Sequence, residues 1–477
     1  MARSSTAPAR LITLACLTSF ALSGLAAPLP AGAAPTALDR YVAEPDAHYQ
    51  WRIVNRFEGE GYATFVVDLT SQAWLTAADV DRPEWRHWLV VVRPEAPRGT
   101  TGMLIIGGGS NRGEPPARPD ATAVAFARQT QTVVAELRMV PNQPLVFVGT
   151  DPEKKPRSED DLIAYCWARF LESGEERWLP RLPMVKSAVR AMDTIQALLR
   201  SPEGGQTPLE RFVVAGGSKR GWTTWLTAAV DPRVVAIVPI VIDVLNVEPS
   251  MRHHFDAYGF WAPAIGDYVR HGLMDQLGRP EMTWLLENVD PYVYRDRFSL
   301  PKYLVNATGD EFFLPDSSQF YFDDLPGEKY LRYVPNAKHS LDGSDARQSI
   351  LAFYQTVLDG RPRPRPAWTF EADGAVRVQS DPTPSTVLLW QATNPEARDF
   401  RLDSIGPAFT SSLIEPDGSG VFVGRVPQPE KGWTAYFVEM SYETGGPYPL
   451  KLTTPVRVTP DTLPFEFRFH RDTLRIR

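Results

Sequence analysis

The sequence predicts an α/β protein in two parts: a mostly parallel sheet covered by helices over residues 36–360, and a smaller β-sandwich over 367–470. Short β-rich apolar runs alternate with helix-period segments through the first part. The stretch Arg211-Phe-Val-Val-Ala-Gly-Gly-Ser-Lys-Arg-Gly-Trp222 reads as a strand, a turn that only small residues can make, and a helix start. Beyond Gly360-Arg-Pro-Arg-Pro-Arg-Pro366 the periodicity becomes β. Strand–helix alternation implies a sheet covered on both faces, with right-handed crossovers.

The elements follow in order. Arg3 and Arg10 are basic, and 11–26 is an apolar run too short for a convincing membrane span. Gly24-Leu25-Ala26 and Ala31-Gly32-Ala33 are candidate cleavage sites, so 1–33 reads as a secretory signal. The expected mature protein is exported, periplasmic or secreted, with no stable membrane insertion after cleavage. Cys16 leaves with that segment, and Thr13 stands where a lipobox wants an aliphatic residue. Cys166 is then the single cysteine and reads as a buried small apolar residue.

Strands are expected at 62–69, 88–92, 103–106, 132–137, 212–215, 234–242, 303–307 and 330–334. The clearest helix is 185–199, where Val185, Ala188, Val189, Met192, Ile195 and Leu199 follow helical spacing. Residues 244–300 interrupt the alternation with helical stretches and the aromatics Phe255, Tyr258, Phe260, Trp261, Tyr268, Trp284, Tyr292 and Tyr294. An insertion there is expected as a helical cap over the C-terminal edge of the sheet. Residues 361–366 read as an extended polyproline-type linker. Many short strands then follow, including 368–370, 375–378, 386–390, 433–440 and 450–453, at the spacing of a β-sandwich.

Composition excludes several functions. Hydrophobic content of 43% over 477 residues supports a large core in two or three domains. A net charge of −7 without a long basic run argues against a nucleic-acid partner. His253 and His254 are adjacent and face different ways on a helix, and no H-E-x-x-H occurs, so no metal is expected. In Gly107-Gly-Gly-Ser-Asn-Arg112 the third glycine of a dinucleotide loop is replaced by Arg112, and no Walker lysine follows. No cofactor is expected.

Strand, tight turn and helix around a serine form the nucleophile elbow of α/β-hydrolases, which makes Ser218 the candidate nucleophile. The match departs from G-x-S-x-G, because Arg220 takes the last glycine's place and Gly221 follows. A serine needs a base, and the base needs an orienting carboxylate, in the order Ser, acid, His. Of seven histidines, His339 and His470 lie downstream of the insertion, and His339 follows a strand in a turn-rich loop. Asp310 ends the preceding strand and is the candidate acid. Asp243 is the alternative acid, and Asp316 reads as a helix cap. Oxyanion donors are expected at the Lys219 N–H and in the glycine loop at Gly108 and Gly109. Arg220 and Asn111 are candidate substrate contacts. Lys219 and Arg220 read either as a solvent-facing helix start or as cations that recruit an anionic substrate group.

Four longer motifs carry a resemblance: Gly107-Gly-Gly-Ser-Asn111, Val134-Ala-Glu-Leu-Arg-Met-Val-Pro-Asn-Gln-Pro-Leu145, Gly217-Ser-Lys-Arg-Gly-Trp-Thr-Thr-Trp-Leu-Thr-Ala-Ala-Val-Asp-Pro-Arg233 and Gly309-Asp-Glu-Phe-Phe-Leu-Pro-Asp316. Together they resemble the PhoPQ-activated pathogenicity-related protein family, over about 39–464. The resemblance implies an α/β-hydrolase sheet covered by helices, with a C-terminal β domain, in an exported protein. The expected activity is that of a serine hydrolase working through an acyl-enzyme on a bulky or acidic substrate: a small-molecule ester, an acidic-sugar ester or a peptide, the aromatic-rich insertion favouring the bulky group. The alternative is a hydrolase-like scaffold that binds or signals without cutting.

Overall fold

The computed structural model describes residues 34–468. The expected signal segment 1–33, His470 and the last residues of the expected β unit lie outside the described residues.

Nine strands build the first part: β1 (Gln50–Gly59), β2 (Tyr62–Ala73), β3 (Glu84–Pro94), β4 (Thr101–Ile106), β5 (Val134–Leu137), β6 (Arg211–Gly217), β7 (Val234–Ile240), β8 (Lys302–Ala307) and β9 (Lys329–Val334). Every run expected as a strand is one. β1 was not anticipated, because it is an edge strand whose exposed and half-buried positions give no apolar run. The strands lie side by side as β1-β2-β3-β5-β4-β6-β7-β8-β9. The pairs from β1 through β3 to β5 are antiparallel. From β5 through β4 to β9 every pair is parallel. This order, with antiparallel β3 set before a run of parallel strands, is that of an α/β-hydrolase sheet.

The central strands are buried on both faces because successive side chains alternate. Phe212 and Val214 of β6 enter one apolar cluster with Val185, Met192 and Leu199 of the helix Arg181–Arg200 and Trp225 of the helix Lys219–Val230. Val213 and Ala215 enter the other, with Phe126 of the helix Ala121–Thr130 and Phe353 of the helix Ala346–Asp359. The sheet is thus held between two helical layers, with the C-terminal ends of β4, β6, β7 and β8 along one edge.

Eight further strands follow: β10 (Arg365–Phe370), β11 (Ala375–Asp381), β12 (Thr386–Asn394), β13 (Thr410–Leu413), β14 (Phe422–Arg425), β15 (Trp433–Tyr442), β16 (Leu450–Thr453) and β17 (Arg457–Thr459). Strands β10, β11 and β14 form a small sheet. Its Val376, Val378 and Phe422 share a cluster with Leu389, Tyr436 and Val438 of β12 and β15. The layer carrying β12 and β15 does not stand apart from the first part. It continues the main sheet through β16, where Thr453 pairs with Leu331 of β9.

Residues 361–366 differ from the expected linker. Arg365 and Pro366 already belong to β10, and Arg363 Nε donates to Glu328 at 2.6 Å. Proline is tolerated here because β10 is an edge strand. A buried ion pair between Arg332 of β9 and Glu439 of β15 crosses the same seam, and Arg332 also reaches Asp345 at 2.8 Å.

Candidate active site

β6 delivers Ser218 to the sheet edge. The residue has φ 56° and ψ −126°, a left-handed conformation that side chains other than glycine avoid. Its N–H donates to Ile240 O at 2.8 Å, and its carbonyl accepts from Trp222 N in the following helix at 3.0 Å. The late glycine has a steric reason: a Cβ on Gly221 would come within 2.9 Å of Gly216 O and of Ile242 Cγ2. The helix therefore packs on β6 and β7 at position 221, while Arg220 points its side chain elsewhere.

Asp310 follows β8 and His339 follows β9, so parallel pairing of those strands brings both loops to the edge that carries Ser218. Asp310 accepts from Phe312 N at 2.8 Å, which fixes the carboxylate. Its oxygens accept from His339 Nδ1 at 2.8 and 3.0 Å. A carboxylate only accepts, so Nδ1 carries the hydrogen and Nε2 is left as the basic nitrogen. His339 Nε2 is buried and has no hydrogen-bond partner among the described residues, Ser218 Oγ included. The imidazole packs on Phe312, with ring centroids 4.3 Å apart, and Phe312 and Phe313 line one cavity with Ser218. Catalytic hydrogen bonds often close only when substrate binds.

The other two carboxylates are occupied elsewhere. Asp243 is buried and accepts from Tyr333 Oη at 2.6 Å and from Tyr321 Oη. Burial pushes its carboxyl up to about 7, against the pull of the two tyrosine hydrogen bonds. Asp316 begins a short 3-10 turn without capping it through its side chain. Instead it takes Arg398 at 2.6 Å and His253 at 3.0 Å. Burial would raise the Asp316 carboxyl, but His253 and Arg398 hold it well below the usual range. The expectation of a simple helix cap is corrected by this buried cluster, whose partners lie far away in sequence. His254 is buried too, and its Nε2 accepts from Ala262 N at 3.1 Å.

The glycine loop continues β4. Ile106 pairs with Gly216, so two residues further on Gly108 is level with Ser218. A Cβ on Gly108 would meet Arg220 Nη2 at 2.5 Å, and Gly109 has φ 123°. Neither glycine's N–H is taken by another group among the described residues. Lys219 opens its helix, so its N–H has no carbonyl one turn back.

The side chains of Lys219 and Arg220 do not face solvent. Lys219 Nζ lies 2.8 Å from Glu159 and 3.1 Å from Asp160. Arg220 makes two bonds to Glu159, at 2.6 and 2.8 Å, and its Nε donates to Val140 O. Burial works to raise the Glu159 carboxyl, yet Arg220 and Lys219 bring it down to about 2. Asn111 is likewise engaged internally, with Arg82, Asn142 and Pro144 O. No local signal in the sequence ties Glu159 to the elbow: it opens the helix Glu159–Ser173 and reads as ordinary N-terminal charge.

A cavity of about 70 Å³ lies beside Ser218. The 244–300 insertion contributes Val244, Val247, Met251, Ile265, Tyr268 and Met274 to its wall. Of the eight aromatic residues noted in the insertion, Tyr268 alone lines the cavity, so this wall is mainly aliphatic. Trp222 Nε1 donates to Val289 O at 2.6 Å, which ties the insertion to the helix behind the elbow.

Residues 38–401 match the family model described as PhoPQ-activated pathogenicity-related protein. The chain is 39% identical over 462 residues to autocrine proliferation repressor protein A of Dictyostelium discoideum, covering 90% of this chain and 92% of the relative. Acetyl xylan esterase 1 from Thermoanaerobacterium sp. JW/SL YS485 superimposes with a TM-score of 0.46 at 14% identity, covering 67% of this chain and 92% of that one. Acetyl xylan esterase from Paenibacillus sp. R4 gives a TM-score of 0.46 at 13% identity with the same coverages, 67% and 92%.

Proposed function

The chain belongs to the PhoPQ-activated pathogenicity-related protein family, and on the geometry of its sheet edge we propose that it is an exported serine hydrolase. The observation that carries this reading is the pairing of His339 Nδ1 with Asp310, which leaves a buried, unpartnered Nε2 at the edge where the strained Ser218 sits. Ser218 Oγ attacks the scissile carbonyl carbon as its proton passes to His339 Nε2. Asp310 holds the imidazolium. The tetrahedral oxyanion is received by the N–H groups of Lys219 and of Gly108 or Gly109, near the start of a helix that favours negative charge. Collapse expels the alcohol or amine, which takes the proton from His339. Water then repeats the sequence on the acyl-enzyme.

The small, largely apolar cavity supports a compact group beside the scissile bond, in place of the bulky one expected from the aromatic-rich insertion. A panel of short-chain esters, N-blocked peptides and free peptides tests the reading. Wild-type protein cleaves at least one class, and Ser218→Ala and His339→Ala each lower kcat by at least about a thousandfold. Turnover that survives Ser218→Ala unchanged sinks the proposal. The printed name of the Dictyostelium relative describes a repressor of proliferation. That name favours a second reading, a hydrolase-like scaffold that signals without cutting, and the same panel separates the two.

A further inference from the structure

Arg181 opens the helix Arg181–Arg200 and lines the same cavity as Ser218, yet it is almost wholly buried. Its Nη1 donates at 2.9 Å to the carbonyl of Lys219, the residue after the nucleophile. Its guanidinium lies over the Trp222 ring, 4.5 Å from the centroid. Nε is buried without a partner. Nη2 also has no partner among the described residues but is not sealed off as Nε is. No carboxylate forms an ion pair with Arg181 among the described residues.

The neighbouring acids are already used. Glu159 pairs with Lys219 and Arg220, while Asp160 pairs with Lys219 and accepts from Tyr268 Oη at 2.9 Å. Lys219 and Arg220 balance Glu159 and Asp160, two against two, which leaves Arg181 as the excess cation. Burial lowers its guanidinium to about 10, so it stays charged at neutral pH. A buried charge without a counter-ion is costly unless something pairs with it.

We infer that Arg181 anchors a carboxylate of the substrate, so that the substrate is an ester or amide of an acidic compound whose free carboxylate stands a few bonds from the scissile carbonyl. The scissile bond in this statement rests on the serine-hydrolase reading; the anion site does not. The carboxylate accepts from Nη2 above the Trp222 face, a charge-assisted contact in a largely apolar wall. The anion-recruiting role that the sequence suggested for Lys219 and Arg220 passes to Arg181, because those two cations are neutralised internally.

The test uses monomethyl succinate and dimethyl succinate, which differ in one negative charge. Their binding is titrated by calorimetry to the full chain carrying Ser218→Ala, which cannot turn them over through Ser218. The monoacid binds about ten- to hundredfold tighter than the diester, in line with a hydrogen bond to a charged group. Arg181→Met, added to that background, removes the preference, and Arg181→Lys restores part of it. Equal or weaker binding of the monoacid to the Ser218→Ala protein overturns the inference whatever the arginine variants do. A preference that survives Arg181→Met overturns it as well. A preference that depends on Arg181, in a protein whose wild type cleaves neither ester nor any peptide, upholds the anion site and defeats the hydrolase reading instead.

Discussion

At the scale of single residues, the two buried aspartates at this sheet edge have opposite duties. Asp310 is held by backbone N–H groups and by His339, and in the proposed mechanism it orients the base. Asp310→Asn leaves the fold intact and lowers kcat by about 10²–10⁴, with little change in KM. Asp243 accepts from two tyrosines and has no hydrogen bond to a histidine among the described residues. Its carboxyl is raised to about 7 by burial, above the ordinary value of 3.8. Between these two pH values the native protein holds a proton that the unfolded chain has released. Stability from this group is therefore full below about pH 4 and is lost as the pH rises toward 7, by at most about 1.4 kcal/mol per pH unit. Asp243→Asn removes that slope, as seen by comparing urea midpoints of the variant and the wild type from pH 4 to 8. Identical pH profiles contradict the account of Asp243.

At the scale of elements, the elbow depends on two glycines in unequal ways. A Cβ on Gly216 would lie 2.6 Å from Arg220 O, whereas a Cβ on Gly217 meets nothing within 4 Å. Gly216→Ala therefore displaces the helix start and lowers both activity and thermal midpoint, while Gly217→Ala leaves the midpoint within a degree or two. Similar losses in both variants contradict this packing. The elbow was readable in the sequence because strand, small-residue turn and helix are contiguous there. The His339–Asp310 pair was readable for a related reason: both residues end adjacent parallel strands, so order along the chain becomes proximity at the edge. The counter-ions of Lys219 and Arg220 were not readable. Glu159 lies about 60 residues upstream, and only the folded sheet brings its helix to the elbow. The role of Arg181 was hidden in the same way.

At the scale of the whole molecule, the sequence separated two parts that the structure joins. Prolines at 362, 364 and 366 suggested a spacer, but edge-strand pairing accepts Pro366, and the seam between the parts is made by long-range contacts with no local signature. The Arg332–Glu439 pair sits in that seam. Glu439→Ala leaves Arg332 with Asp345 as its one acidic partner among the described residues and destabilises the protein by about 3–5 kcal/mol, read from urea denaturation. The double change Arg332→Met with Glu439→Leu recovers much of that loss, because no buried charge is then orphaned. The joined sheet carries the loops after β8 and β9, and with them Asp310 and His339, at the same edge as Ser218. The most direct test of that arrangement as a catalytic site is labelling of the protein with a fluorophosphonate probe, followed by mass mapping of the adduct. A single adduct forms on Ser218, is absent in Ser218→Ala and is strongly slowed in His339→Ala. An unlabelled wild type, under conditions where a control serine hydrolase reacts fully, or an adduct on another residue, contradicts the catalytic reading.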